Sequence, residues 1–282
     1  MRAPDLIRFA RDAATGSPLR STLLVIAMAI GVAAVVILTA LGDGARRYVM
    51  NEFSSLGSNL VIVLPGRSQT GGFNPGNAIT STPRDLTVDD AQAVQRASAV
   101  RRVAPLAVGT SEISVGGKLR EVMVAGTTSQ YTEIRQLELA QGRFLTAGDW
   151  RRGSNEAVIG AKVRDEMFGA EPALGKLVRI GDRRFRIIGV LAASGQGLSL
   201  NTDELVFVPV SLAQAMFNSN TLFRILIEAT GRETIESAKA QTAEIIKLRH
   251  ENEEDVTVIT QDAVLVTFDR LLGALTLAVA GI

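Results

Sequence analysis

Ser21–Leu41, STLLVIAMAIGVAAVVILTAL, runs for twenty-one residues without a charged side chain. As a helix rising ~1.5 Å per residue it reaches ~30 Å, the thickness of a bilayer's hydrocarbon core. Ala40-Leu41-Gly42 has the small-x-small form that suits a signal peptidase. The apolar region of a signal peptide is usually ~7–15 residues, so this longer run reads as an uncleaved anchor. A buried core helix is the other reading, and a run apolar on every side argues against it. Arg2, Arg8, Arg11 and Arg20 precede the run, while only Arg46 and Arg47 follow it closely. The positive-inside rule then predicts a cytoplasmic N-terminus and an extracytoplasmic continuation.

Working outward, residues 4–14 (PDLIRFARDAA) carry Leu6, Ile7, Ala10, Ala13 and Ala14 on one side, with Arg8, Arg11 and Asp12 facing away. That is an amphipathic helix, lying either in the membrane interface or in water. Beyond Leu41 the helical pattern continues through Ala45, Val49, Phe53 and Leu56 and stops at Gly57, as a stalk. Arg46 and Arg47 on it face either lipid headgroups or water. A second apolar run, Leu271–Ile282, spans only ~18 Å as a helix, short of a bilayer. The expected organisation is a cytoplasmic amphipathic segment at 1–20, a transmembrane helix at 21–41, a water-exposed domain with stalk helices at 42–270, and the start of a second transmembrane helix at 271–282.

The 282 residues hold 30 Lys and Arg against 29 Asp and Glu, and no region is strongly basic. Phosphate binding needs a concentrated cationic surface, so nucleic acid is not an expected partner. The absence of cysteine excludes disulfides, Cys-ligated zinc and thiol catalysis.

Between the anchors the pattern is α+β. Leu60–Leu64 reads as a strand ended by Pro65-Gly66, and Pro65–Leu86 as a Gly/Ser/Thr/Pro-rich loop. Thr87-Val-Asp-Asp90 has the form of a capping box, with Asp in place of Glu or Gln, and opens a helix that turns Val88, Ala91 and Val94 inward. Strands are predicted at 103–108, 112–115 and 119–125, the last two joined at Gly116-Gly117. Further strands are predicted at 156–160, 177–180, 184–191 (joined to the preceding one through Gly181-Asp182) and 205–208. Helices are predicted at 161–168, ended by Gly169, and up to Phe217, capped by Ser211. A strand at 223–228, a helix at 233–250 and a strand at 256–260 form a βαβ crossover, either direct or split by another strand.

Candidate chemistry is sparse. His250 is the only histidine, beside Glu251, Glu253 and Glu254, and reads as an exposed helix-end residue rather than a metal ligand. A Ser-His-Asp triad would need that same residue, and no G-x-S-x-G turn is present. Asp89 and Asp90 read as helix-start acids. Gly-Lys at 117–118 and 175–176 lacks the rest of a P-loop, so the chain is not expected to bind nucleotide. Trp150 is a lone tryptophan. No catalytic, cofactor-binding or metal-ligating residue and no cofactor is predicted, and the chain is not expected to be an enzyme.

Several stretches nevertheless resemble one family in the same order. SPLRSTLLVIAMAIGVAAVVILTALGDGARR followed by LGSNLVIVLPG is similar to the first transmembrane helix and stalk of MacB/FtsX-type ABC transporter permeases. GRFLTAGDWRRGSNEAVIGAKVRDEMFG, LGKLVRIGDRRFRIIGVL and ELVFVPVSLAQAMF resemble their periplasmic core domain. The resemblance implies a mixed α/β periplasmic domain of two subdomains between helices one and two of a four-helix bacterial inner-membrane protein. It implies pairing into homo- or heterodimers, a cytoplasmic ABC ATPase subunit, membrane lipid, a periplasmic adaptor protein, and a relay of ATPase-driven motion that serves export. On that reading the chain is the N-terminal portion of a permease with its second transmembrane helix truncated. The alternative from the layout alone is an extracytoplasmic sensor domain of a membrane receptor.

Overall fold

The computed structural model describes residues 18–54, 59–66, 84–194 and 201–260. They fall into two compact units, one holding most of the long N-terminal helix and the other the residues from 59 onward.

Helix α1, Pro18–Ser54, is unbroken over 37 residues, so the apolar run does continue as helix past Leu41. Leu19–Gly42 is long and apolar enough to cross a membrane, and none of it is buried within the protein. Met28 is 74 % exposed and Ile37 66 %. Such a surface is stable only where water is excluded, since each Å² of apolar area withdrawn from water is worth ~25 cal/mol. The two threonine hydroxyls in the span are satisfied internally. Thr22 Oγ1 donates to the Leu19 carbonyl at 3.0 Å, and Thr39 Oγ1 to that of Val35 at 2.9 Å. Neither leaves a polar group for lipid to solvate. The helix predicted at 4–14, the stop at Gly57, most of the loop at 65–86 and the apolar run at 271–282 lie outside the described residues. So do the side chains of the stalk stripe, including Arg46 and Arg47.

The second unit orders as β1 (Leu60–Pro65), α2 (Val88–Val94), β2 (Val100–Val115), β3 (Lys118–Thr127), α3 (Gln130–Ile134), β4 (Leu139–Gly142), β5 (Glu156–Ile159), α4 (Ala161–Phe168), β6 (Leu177–Ile180), β7 (Arg183–Leu191), β8 (Leu205–Pro209), α5 (Val210–Phe217), β9 (Arg224–Ala229), α6 (Ile235–Arg249) and β10 (Val256–Thr260). The strands follow the order β10-β1-β9-β2-β3-β8-β5-β7-β4, and β6 bridges β2 and β7. Strand β1 is antiparallel to both β9 and β10. The β9-α6-β10 crossover is therefore the split form, with β1 inserted between its strands.

Strand β2 joins two subdomains. Its residues Val100–Leu106 pair with β9, and Ala107–Val115 pair with β3. The first stretch belongs to the sheet backed by α2 and α6. The second enters a ring that closes through β3, β8, β5, β7 and β6 back to β2. The sequence predicts two strands here, at 103–108 and 112–115; the structure has one, Val100–Val115. A Cβ at Gly109 would lie 2.5 Å from the Phe217 ring, so the glycine admits the end of α5 against the strand and does not break it.

Alternation along the strands feeds two cores. Val61 and Val63 pack with Val88, Ala91 and Val94 of α2 and with Ile235, Ala238 and Ile246 of α6. The opposite face gathers Leu60, Leu106, Leu226, Tyr131, Phe144 and Phe207. The Tyr131 and Phe144 rings sit 5.5 and 5.6 Å from that of Phe207, in tilted contacts.

Helix α4 and the hairpin of β6 and β7 lie where predicted. Helix α5 differs. It begins at Val210 directly after Pro209, with no side-chain cap, and the Ser211 hydroxyl is buried without a partner. Proline at the cap position already fixes the entry angle, so the chain turns helical one residue before the expected serine cap.

Candidate functional site

The sequence reading of His250 as an exposed helix-end residue is overturned. Its side chain is 5 % exposed, between the carboxylates of Asp90 and Asp255, each 3 % exposed. Nδ1 lies 2.7 Å from Asp255 Oδ1, and Nε2 lies 3.3 Å from Asp90 Oδ2. The cause of burial is tertiary. Helix α2 packs beside α6, which brings the N-terminus of one helix against the C-terminus of the other.

Asp90 reaches this point through the capping box that the sequence predicts. Thr87 N donates to Asp90 Oδ2 at 2.9 Å, Thr87 Oγ1 donates to the same oxygen at 2.6 Å, and Asp90 N donates to Thr87 Oγ1 at 3.3 Å. Arg249 Nε then donates to Asp90 Oδ1 at 2.6 Å. Burial pushes the Asp90 carboxyl up. The hydrogen bonds from Thr87, Arg249 and His250 outweigh it and hold the group below the usual carboxylate range. Asp255 Oδ2, by contrast, is buried with no partner.

Around this cluster the chain is tied down again. Arg84 pairs with Glu251. Gly66 N donates to the Asp255 carbonyl at 2.8 Å, and Thr257 Oγ1 donates to the Gly66 carbonyl at 2.6 Å. Residues 66 and 84, which bracket the loop outside the described residues, are thus both fastened to the turn between α6 and β10. This arrangement is a polar clasp. It holds helix α2, helix α6 and strand β10 in one register.

Elsewhere, Trp150 borders a cavity of about 160 Å³ lined with Thr128, Ser129, Thr146, Asp149 and Ser154 among others. The Thr128 hydroxyl there is buried and unpartnered. Arg102 fastens β2 to β9 and α3 through Glu228 at 2.7 Å and Glu133 at 2.5 Å. Asp89 does not join the clasp; it pairs outward with Arg151 at 2.6 Å. Among the described residues no group of three or more His, Cys, Asp or Glu side chains is arranged to hold a metal ion.

Residues 21–245 match the MacB-like periplasmic core domain family. Over its whole length the chain is 31 % identical to the macrolide export ATP-binding/permease protein MacB of Rhodopseudomonas palustris, covering 42 % of that protein. It is also 31 % identical to the pyoverdine export ATP-binding/permease protein PvdT of Pseudomonas entomophila, over 88 % of this chain and 37 % of that protein. The chain therefore spans less than half the length of these curated relatives. In fold it is similar to the periplasmic region of MacB from Actinobacillus actinomycetemcomitans, with a TM-score of 0.66 at 21 % identity, over 78 % of this chain and 97 % of that one. The extracellular domain of the ABC-type transporter YknZ from Gram-positive bacteria superposes with a TM-score of 0.58 at 21 % identity, over 72 % of this chain and all of that one (100 %).

Proposed function

The chain belongs to the MacB-like periplasmic core domain family, and from that premise we propose that it is the first membrane helix and periplasmic portion of an ABC-type export permease. Residues 1–20 lie in the cytoplasm, 21–41 cross the inner membrane, 42–270 form the periplasmic domain with its stalk, and 271–282 begin the second membrane helix. The role is mechanical. A cytoplasmic ABC ATPase subunit moves the membrane helices of paired permeases, and the stalk carries that motion to a domain that engages a periplasmic adaptor or cargo.

The observation that carries this reading is the unbroken helix α1, which runs through the apolar span and on to Ser54. A continuous ladder of hydrogen bonds between residues four apart transmits rotation and axial displacement without a joint. The polar clasp supports the same role within the β-rich domain. It couples α2, α6 and β10 through groups that are costly to separate once buried. The domain then responds to force as one body.

ATP hydrolysis belongs, on this reading, to a partner. Purified to homogeneity, the chain is expected to turn over no ATP above background in a coupled assay. Turnover that follows the chain through successive columns would overturn the proposal.

A further inference from the structure

The cavity beside Trp150 lies beyond the carboxyl ends of β3 and β8, a parallel pair in which Thr127 falls opposite Pro209. Ligands of α/β sheets gather outside such strand ends, where each strand gives way to a helix. Here β3 leads to α3, and β8 leads directly to α5. Helix α5 has eight residues, no acid in its first turn and no side-chain cap. Pro209 and Val210, at its start, line the cavity. The first-turn amides of a helix have no partner within it, and they form the positive end of its dipole.

Two hydroxyls mark the same place independently. Thr128 lines the cavity, is 7 % exposed, and its Oγ1 has no hydrogen-bond partner. Ser211 Oγ, on the first turn of α5, is likewise buried and unpartnered. It lies against Gly153 of the cavity lining, 2.9 Å from where a Cβ there would be. Buried donors left unmet in this way are costly, and a ligand with acceptor oxygens removes the cost.

The rest of the lining is already committed. Thr146 Oγ1 and the Ser154 hydroxyl donate to Glu156, and Arg143 pairs with the same carboxylate at 2.8 Å. The loop from β4 to β5 is thereby held in place, with the Glu156 charge compensated. Asp149 accepts from the Arg151 amide at 3.0 Å. Arg152, three residues on and exposed, forms no ion pair among the described residues.

We propose that this cavity binds a carboxylate, the end of a peptide or a free amino acid. Its oxygens are taken by Arg152, Thr128 and the start of α5, with Trp150 beside the adjoining atoms. The planar guanidinium fork matches the two oxygens of a carboxylate. One uncommitted cation, with Asp149 in the same lining, suits a monoanion better than doubly charged phosphate. The volume of about 160 Å³ gives room for about five water-sized groups of ~30 Å³ each, enough for a carboxylate and the atoms next to it. The site is independent of the transport reading.

Trp150 is the only tryptophan, so its emission reports on the cavity. The full chain in detergent is titrated with N-acetylglycine, its neutral amide N-acetylglycinamide, glycine and inorganic phosphate, by emission and by calorimetry. N-acetylglycine is expected to saturate, and the amide is expected not to. Arg152→Gln, at an exposed position, should weaken binding about tenfold, equivalent to about 1.4 kcal/mol. Thr128→Val, which keeps the shape and removes the hydroxyl, should weaken it about fivefold. Tighter binding of N-acetylglycine than of glycine supports the site and assigns a chain end; the reverse supports it and assigns a free amino acid. Equal response to acid and amide, tighter binding of phosphate, unchanged affinity in both variants, or no saturation in either measurement overturns the proposal.

Discussion

Replacing His250 with leucine is expected to destabilise the domain by about 3–5 kcal/mol, the cost of removing one partner from a buried ionic cluster. The loss falls chiefly on Asp255. Its Oδ2 already lacks a partner, and Oδ1 is paired with His250 Nδ1, 2.7 Å away. Without the ring a carboxylate 3 % exposed stays buried with neither oxygen satisfied. Asp90 suffers less, since Thr87 and Arg249 still donate to it. Urea unfolding followed through Trp150, the only tryptophan, reads the change. Leucine at both 250 and 255 should recover most of the loss, because an apolar pair leaves no charge stranded. Full destabilisation in that double variant would show that packing, not charge, is what His250 supplies.

The same cluster sets an acid limit. Asp90 sits below its ordinary value when folded, so the unfolded chain takes up the proton first. Its contribution is fully present above about pH 4 and is lost as pH falls through the lower folded value. His250 is one of the donors that lower it, so the His250→Leu variant should show a shallower loss of stability with acid.

Gly142→Ala is expected to be nearly as damaging, for a steric reason. Gly142 ends β4 at φ +75°, a conformation that costs an L residue ~1–2 kcal/mol. An added Cβ would also overlap the Ile188 carbonyl oxygen and come within 2.6 Å of Leu174 Cδ1 and 3.0 Å of Gly189 Cα. The Leu174 side chain can turn aside, but the backbone of the paired strand β7 cannot. Overpacking of this kind adds about 1–3 kcal/mol. Gly148→Ala, with nothing within 4 Å of the new carbon, is the control and should stay within about 0.5 kcal/mol of the parent. Equal effects at the two positions would mean that Gly142 is not under this constraint.

What the sequence discloses and what it hides divide along the range of the interactions. Helix α4, the hairpin of β6 and β7 and the capping box at Thr87 are legible because caps, turns and alternation are written within a few residues of one another. The continuity of β2 is not, because residues 109–111 (Gly-Thr-Ser) carry no apolar alternation, and what holds them in the strand is pairing with β3 and the Phe217 ring lying against Gly109. The split form of the β9-α6-β10 crossover stays open for the same reason, since the inserted strand is β1 from the far end of the chain. His250 is the clearest case. Its neighbours in sequence are glutamates, which is the signature of a solvated helix end, while Asp90 lies 160 residues away. The available signal was split in two: Asp255 five residues on, and a capping box that fixes Asp90 beside the inward-facing Ala91. The antiparallel packing of α2 beside α6 joins the two, and neither segment encodes it alone.

Lipid around α1, with the β-rich domain standing in water on the opposite side from the N-terminus, is what the whole account depends on. Asp182→Cys places a single thiol in the turn between β6 and β7, where the native side chain is 80 % exposed and no other cysteine competes. In intact spheroplasts a membrane-impermeant maleimide is predicted to label it fully, with no gain after lysis. Labelling that appears only once the membrane is broken would place the domain in the cytoplasm and contradict the account.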